Sequence, residues 1–320
     1  MTVGVIGKSC RIIEGEVFRL FVAKNNREGV GMRTITVWAI FACAVCANAG
    51  AAVWYVDKDN AGPQDGLSWA TAFTTIQAAI GAAEIYSEVW VAEGVYNEPR
   101  TSLQETYASG TVETGSLVLK PSVALYGGFA GAELTRLERA AGAYSTIDGS
   151  TTRSGQPAYH VVIAADDTVL DGFAVVGGDS QGVNGWQVES GAGLFGYDCA
   201  ITIADCRFVG NSAGSSGGGL FVSGGGSCTV SDSLFEANSA GSGGGGMSGD
   251  YVTLNMEDCI LRENSALYGG AMANRSGTLA TVARCIFAGN VVELNGGAVN
   301  TAEDCDGTFV NCLFAANLAG

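Results

Sequence analysis

Three aspartates, Asp205, Asp232 and Asp258, recur 27 and then 26 residues apart, each opening a segment of the same type. Stacked in one column, such carboxylates repel one another unless a cation or backbone donors compensate. Calcium takes its oxygen ligands from groups of this kind, so the column is a candidate calcium site. The alternative is a line of aspartates entering solvated strands, with Arg284 at the next equivalent position partly neutralising it. Acid–base catalysis needs carboxylates beside a basic group. Asp166, Asp167 and Asp171 lie close together, with Arg153 and His160 as candidate partners. Against this, Asp171-Gly172-Phe173 also reads as a first copy of the repeat, and a lone histidine is more readily structural than catalytic. No serine or cysteine sits in a nucleophile motif, no lysine follows the glycine runs, and no C-x-x-C or histidine cluster suggests zinc.

Two further groups bear on chemistry. From Asp171 to Asp205 there are 34 residues, which places an insertion of about eight within 179–190, DSQGVNGWQVES. Loops inserted into repeats are common binding positions. Trp186, with Asp179 and Gln187 nearby, is therefore a candidate sugar-stacking platform, or else a cover for a strand edge. Cys199, Cys206, Cys228, Cys259, Cys285, Cys305 and Cys312 are the cysteines beyond Ala49. Cys206, Cys259, Cys285 and Cys312 share a repeat position. Stacked side chains that all point one way make poor bridges, so these are expected to be small buried hydrophobes. The pairs Cys199/Cys206 and Cys305/Cys312 are better bridge candidates.

The repeat must position all of these groups. Five segments align without gaps: DCRFVGNSAG, DSLFEANSAG, DCILRENSAL, RCIFAGNVVE and NCLFAANLAG. Their asparagines, Asn211, Asn238, Asn264, Asn290 and Asn317, are spaced by 27, 26, 26 and 27 residues. A Gly-Gly-x-aliphatic motif keeps the same beat at Gly217, Gly244, Gly269 and Gly296. Units of this length, β-prone and punctuated by glycine, have no room for a ten-residue helix. They predict an all-β solenoid, a parallel β-helix of 26–27 residues per coil, with equivalent residues stacked about 4.8 Å apart. One column is then phenylalanine, another cysteine, and the asparagines turn inward as an amide ladder. Near the start, Thr75 is placed to cap a helix apolar at Ile76, Ala79, Ile80 and Ala83, an N-terminal α-helical cap over the open end of the coil.

The C-x-F-x-x-N segment followed by Gly-Gly-x-aliphatic resembles the repeats of polymorphic outer-membrane proteins. More widely, the chain resembles bacterial secreted right-handed parallel β-helix proteins of the pectate-lyase-like fold. WYVDKDNAGPQDGLSWATAFTTIQAAI, VWVAEGVYNE, VALYGGFAGAE and YHVV, which holds His160, are similar to the same group. The resemblance covers residues 53–320 and implies the fold, a capping strand and helix over 50–98, and export. It leaves activity open. The coil then occupies 99–320 and breaks off inside a repeat at Gly320, as a truncated chain would.

Net charge is −16, from 16 basic and 32 acidic residues, which argues against binding nucleic acid or an anionic membrane through charge. The expected role is structural, adhesive or carbohydrate-binding at the cell surface or after secretion, with an extracellular polysaccharide or cell-surface component as partner. The alternative is a polysaccharide lyase or glycoside hydrolase. Two carboxylates and a basic residue meeting within hydrogen-bond reach would favour that enzyme.

Residues 1–49 read as a leader, with Met32 as the working start. Arg33 precedes an apolar stretch, Ile35 to Val45, and Ala47-Asn48-Ala49 is a small-x-small cleavage site. A membrane-spanning helix would need about 20 apolar residues, and Asn48 and Gly50 cut this run short. N-terminal sequencing of exported protein is expected to begin at Gly50; material retaining residues before Ala47 would count against cleavage here.

Overall fold

The computed structural model describes residues 52–106, 110–182, 185–302 and 304–320. The leader and its signal peptide lie outside the described residues. Among the described residues the chain winds as a parallel β-solenoid with four faces. A nine-stranded face runs from Val53–Val56 to Asp306–Val310, and an eight-stranded face from Gly94–Tyr96 to Leu313–Ala315. A seven-stranded face runs from Leu117–Val118 to Val299–Thr301, and a narrow five-stranded one from Ser212–Ala213 to Leu318–Ala319. A single antiparallel hairpin, Leu103–Thr106 with Gly110–Glu113, projects from this parallel set. The coil faces thus begin well before residue 99.

The asparagine ladder forms as the spacing predicts. Asn211, Asn238, Asn264 and Asn290 are fully buried. Asn238 Oδ1 accepts from the Asn211 backbone N–H at 3.0 Å and from Asn211 Nδ2 at 3.2 Å. Asn238 Nδ2 in turn donates to Phe208 O at 2.9 Å and to Asn264 Oδ1 at 3.0 Å. The pattern repeats down to Asn317. Each amide from Asn211 to Asn290 therefore ties its own coil to both neighbours, and Asn317 ties the last coil to the one before it. The residue before each asparagine is left-handed, with φ of 66° at Gly210, 53° at Ala237, 58° at Glu263, 64° at Gly289 and 52° at Ala316. For the alanines and the glutamate that conformation costs about 1–2 kcal/mol each, which the ladder must offset.

A second left-handed column explains the aspartates. Asp205, Asp232, Asp258, Arg284 and Asn311 have φ of 45°, 51°, 53°, 53° and 55°, at the corner between the nine- and eight-stranded faces. Aspartate and asparagine tolerate this region better than most residues. Upstream, the equivalent residue is Gly172, with φ of 80°, because Asp171 pairs with Ala204 and ends its strand. Asp171 is therefore not a member of the column, and the long interval runs 33 residues from Gly172 to Asp205.

Inside, Phe208 and Phe235 stack at 4.9 Å and 5°, Leu261 follows in register, and Phe287 stacks on Phe314 at 4.7 Å. Among the described residues the seven cysteines beyond Ala49 are free thiols, so neither Cys199/Cys206 nor Cys305/Cys312 is bridged. Ser233 fills the gap in the cysteine column, its hydroxyl accepting from the Cys206 backbone N–H at 3.1 Å. Burial pushes the Cys206 thiol up to about 12, consistent with an inert core residue. The helix Ile76–Ala82 is capped by Thr75 Oγ1, which accepts from Ala78 N at 3.3 Å, and Ile76, Ala79 and Ile80 enter the main core. Gln77 bonds both main-chain groups of Val118, Nε2 to O at 3.2 Å and Oε1 from N at 2.9 Å. It thereby satisfies backbone at the end strand of the seven-stranded face.

Four consecutive residues carry four different expected outcomes in denaturant melts. Phe235→Ala, with the ring fully buried between neighbours, costs about 3–5 kcal/mol. Glu236→Ala removes only an exposed pair with Arg262 and costs under about 1 kcal/mol. Ala237→Gly relieves a left-handed alanine and is neutral or stabilising by up to about 1 kcal/mol. Asn238→Leu strands several buried polar groups and costs more than about 3 kcal/mol. Equal losses at Phe235 and Glu236 would put the inward register in the wrong place.

Candidate functional site

The corner that holds the aspartate column carries the most concentrated charge chemistry on the coil. Each coil contributes one left-handed residue there, and the strand that follows turns its alternate side chains outward. Tyr144 Oη donates to Asp205 Oδ1 at 2.8 Å, and the Arg207 guanidinium lies 4.3 Å from the centre of the Tyr144 ring. Burial, and the Asp205 carboxylate after it, raise the Tyr144 phenol above its ordinary value. Two coils further on, Arg284 grips Asp258 with both ends of its fork, Nε to Oδ1 at 2.9 Å and Nη2 to Oδ2 at 2.8 Å, and also reaches Glu257. Arg262 pairs with Glu236 at 2.6 Å. Exposed Asp232 sits between these assemblies. A cleft of about 220 Å³ runs along the corner, lined by Tyr144, Arg207, Asp232, Asp258, Ile260 and Arg262.

Two carboxylates, Glu257 and Asp258, and one guanidinium, Arg284, thus meet within hydrogen-bond reach. Three of the ten basic residues beyond Ala49, Arg207, Arg262 and Arg284, lie along this corner. Five carboxylates, Asp205, Asp232, Glu236, Glu257 and Asp258, set against three guanidiniums leave a local charge of about −2. Asp205, Asp232 and Asp258 share one column as their spacing predicts, although Tyr144 holds the first and Arg284 the third. Among the described residues no three His, Cys, Asp or Glu side chains are grouped so as to hold a metal ion.

The other sequence candidates disperse. Asp171 pairs with Arg139 at 2.8 Å, Asp166 accepts from the Ala200 backbone N–H at 2.9 Å, and Asp167 accepts from Ser122 Oγ at 3.2 Å. Arg153 lies 3.8 Å from the Tyr159 ring centre and donates to Pro157 O. His160 is fully buried, its Nδ1 3.0 Å from Gly191 O and its ring stacked on Phe195 at 4.9 Å. These groups do not form one acid–base site. Asp179 is exposed and accepts from the Gln181 backbone N–H, while Gln187 lies in the short helix Trp186–Glu189. The side chain of Trp186 lies outside the described residues. Asp179 bridges to Ser212 on the five-stranded face, away from the aspartate corner.

Tyr144, Arg207 and Arg262 went unseen in the sequence because they come from separate coils and occupy variable outward positions. Only strand alternation beside the conserved-period corner residues could have marked them.

No family model matches the chain, and no curated protein matches it. Among solved structures it is similar to the pectin methylesterase from Aspergillus niger in deglycosylated form, at 14% identity over 84% of this chain and 87% of that one, with a TM-score of 0.38. It is also similar to pectin methylesterase PemA from Erwinia chrysanthemi, at 12% identity over 83% of this chain and 90% of that one, with a TM-score of 0.39. Values of this size transfer no residue roles, so the corner stands on its own geometry.

Burial lowers the His160 imidazole from its ordinary 6.5 to about 4. A depressed folded value means the unfolded chain binds the extra proton first, so this contribution to stability is complete above about pH 6.5 and lost as pH falls towards 4. Within that window the slope is at most about 1.4 kcal/mol per pH unit. The difference in stability between wild type and His160→Phe, measured by denaturant melts from pH 7 down to pH 4, is expected to shrink accordingly. A difference independent of pH would refute a buried neutral histidine.

Proposed function

We propose that the protein acts on an extracellular polysaccharide and that the charged corner is where the polymer lies. The observation that carries this reading is the cleft that brings Arg207, Asp232, Asp258 and Arg262 together from three adjacent coils. The corner backbone accounts for the aspartates, but Arg207 and Asp232 lie open along the groove without an ion pair to each other, which leaves them available to a ligand. The fixed rise between coils lays such groups out as a regular track, suited to a linear polymer. The excess of carboxylates favours a neutral glycan; an acidic one would need calcium to bridge it to the aspartate column.

Cleavage follows from the same geometry. Adjacent coils put equivalent positions about 4.8 Å apart, close to the 5–5.5 Å between the two carboxyl groups of retaining glycosidases. In this reading one of Asp232 and Asp205 protonates the departing glycosidic oxygen as its bond to the anomeric carbon breaks, and the other attacks that carbon to form a glycosyl ester. Water then releases the ester and returns the proton, while Asp258 stays with Arg284, and Arg207 and Arg262 hold the chain in place. Hydrolysis is favoured over a lyase reaction, which would require an acidic sugar in a corner of negative charge. Export to the cell surface or beyond, and a capping role for the helix Ile76–Ala82, belong to the same proposal.

The test is a screen of the exported form, with calcium present, against neutral and acidic polysaccharides, scoring both retention and new reducing ends. Binding of a neutral polymer is expected, weakened roughly tenfold, or about 1.4 kcal/mol, by Arg207→Ala with Arg262→Ala. Asp232→Asn should abolish release of reducing ends and leave retention in place. Retention without cleavage would reduce the protein to a binding module; no retention of any polymer would overturn the proposal.

A further inference from the structure

A separate feature lies on the seven-stranded face. Its outward column, in strand register, runs Ile163, Phe195, Phe221, Ser248, Ala273 and Asn300. The inward neighbours, Leu194, Leu220, Met247 and Met272, belong to the core, which fixes the direction of this column. In its first half the column is filled: His160 stacks on Phe195 at 4.9 Å and Phe195 on Phe221 at 5.9 Å. In its second half the side chains shrink to a hydroxymethyl and a methyl. There a cleft of about 270 Å³ opens, with Ala273 at its base and Tyr268, Arg275, Asn300 and Asp304 around it.

One observation marks this cleft as built for a ligand: Arg275 is held in place by its Nη1, which donates to Ser216 Oγ at 2.9 Å, across 59 residues of chain. One register step away, the hydroxyl of fully buried Ser248 has no hydrogen-bond partner, nor does the buried Oδ1 of Asp250. Neither atom opens onto the cleft, so the cost of leaving them unpaired falls on the coil beneath it. Outside the lining, on the Asp304 side, Tyr251 is 63% exposed. Its ring lies against Gly277, where a Cβ would come within 3.7 Å of it and 4.0 Å of Asp304 O. A Cβ there would make only ordinary contact with the ring; it is the left-handed backbone, with φ of 76°, that calls for glycine.

The chemistry of the lining selects the ligand. Within the lining itself one guanidinium, Arg275, is matched by one carboxylate, Asp304, so the walls carry no net charge. An amide, a phenol and two hydroxyls from Ser242 and Ser276 add donors and acceptors in equal measure. A hydroxyl-rich, uncharged molecule with one apolar face meets both the polar walls and the exposed ring. We infer that this cleft is a second binding site, for one or two units of a neutral sugar, with Arg275, Asn300 and Asp304 as hydrogen-bonding partners and Tyr251 as stacking surface. Only the class of ligand rests on the polysaccharide reading; the site itself is distinct from the charged corner.

The full chain is titrated with cellobiose and with maltose, followed by NMR. Four proteins are compared: wild type, Asn300→Ala, Tyr251→Ala and the corner double variant Arg207→Ala/Arg262→Ala. Saturable binding of at least one disaccharide, with shifts at Tyr268, Arg275 and Asn300, is expected. Each cleft variant weakens the affinity those shifts report roughly tenfold, and the corner variant leaves them in place while removing any shifts at the corner. Melting curves of the two cleft variants should overlay that of wild type. Absence of saturable binding, or binding that both cleft variants leave intact, overturns the inference. Disaccharide binding lost only in the corner variant overturns it as well and leaves the polysaccharide reading standing. Cleft binding alongside failure of all polymers would instead remove the corner proposal alone.

Discussion

The inward amide ladder is the interaction on which the rest depends. A buried primary amide has two donors and an acceptor with two lone pairs to satisfy, and no water reaches these positions. Asn211, Asn238, Asn264 and Asn290 meet that demand only if the next coil sits one strand spacing away with its own asparagine in register. A slip of one residue would turn the amides outward and leave carbonyls such as Phe208 O and Phe235 O without their donors. The ladder therefore sets register along the axis, and the stacked Phe208 and Phe235 rings inherit it. It also holds Ala237, Glu263 and Ala316 in a backbone region they would not otherwise adopt.

Once the inside is fixed, the outside becomes free to vary. Every outward side chain has a set height and a set direction, so its identity alone decides what a face can do. At the aspartate corner, a conformational requirement for left-handed backbone supplies residues with carboxylates. Tyr144, Arg207 and Arg284 then turn those carboxylates into a charged track. On the seven-stranded face the same principle gives a filled aromatic column that stops at Phe221 and leaves room beyond it.

At the N-terminal end the exterior is closed rather than open. Tyr55, Trp90 and Tyr126 stand in register on the nine-stranded face, and Trp90 stacks on Phe129 at 4.8 Å. Arg136 lies 4.4 Å from the Tyr126 ring centre, and Arg139 bonds Gly127 O and Asp171. The segment carrying these arginines covers the aromatic surface, and Asp171 pairs with Arg139 as part of that cover.

Periodicity made the coil legible in the sequence because the interactions that repeat are local to each coil and identical from one to the next. Asn211 to Asn317, the phenylalanine column and the aspartate corner could all be placed from spacing alone, as could the short helix begun by Thr75. The register of the first copy could not. Gly172 rather than Asp171 holds the corner, and left-handed backbone, not residue type, is what the position conserves. Nor could the partners of the aspartates be found, since Tyr144 and Asp205 are 61 residues apart and touch only through stacking of separate coils. Trp186, Asp179 and Gln187 are marked by an interval that breaks the beat, whereas the two clefts described above draw on residues from three or four coils, which no interval reveals. Columns follow from a period, but a cleft depends on which side chains fall short beside one another, and only the folded chain brings those together.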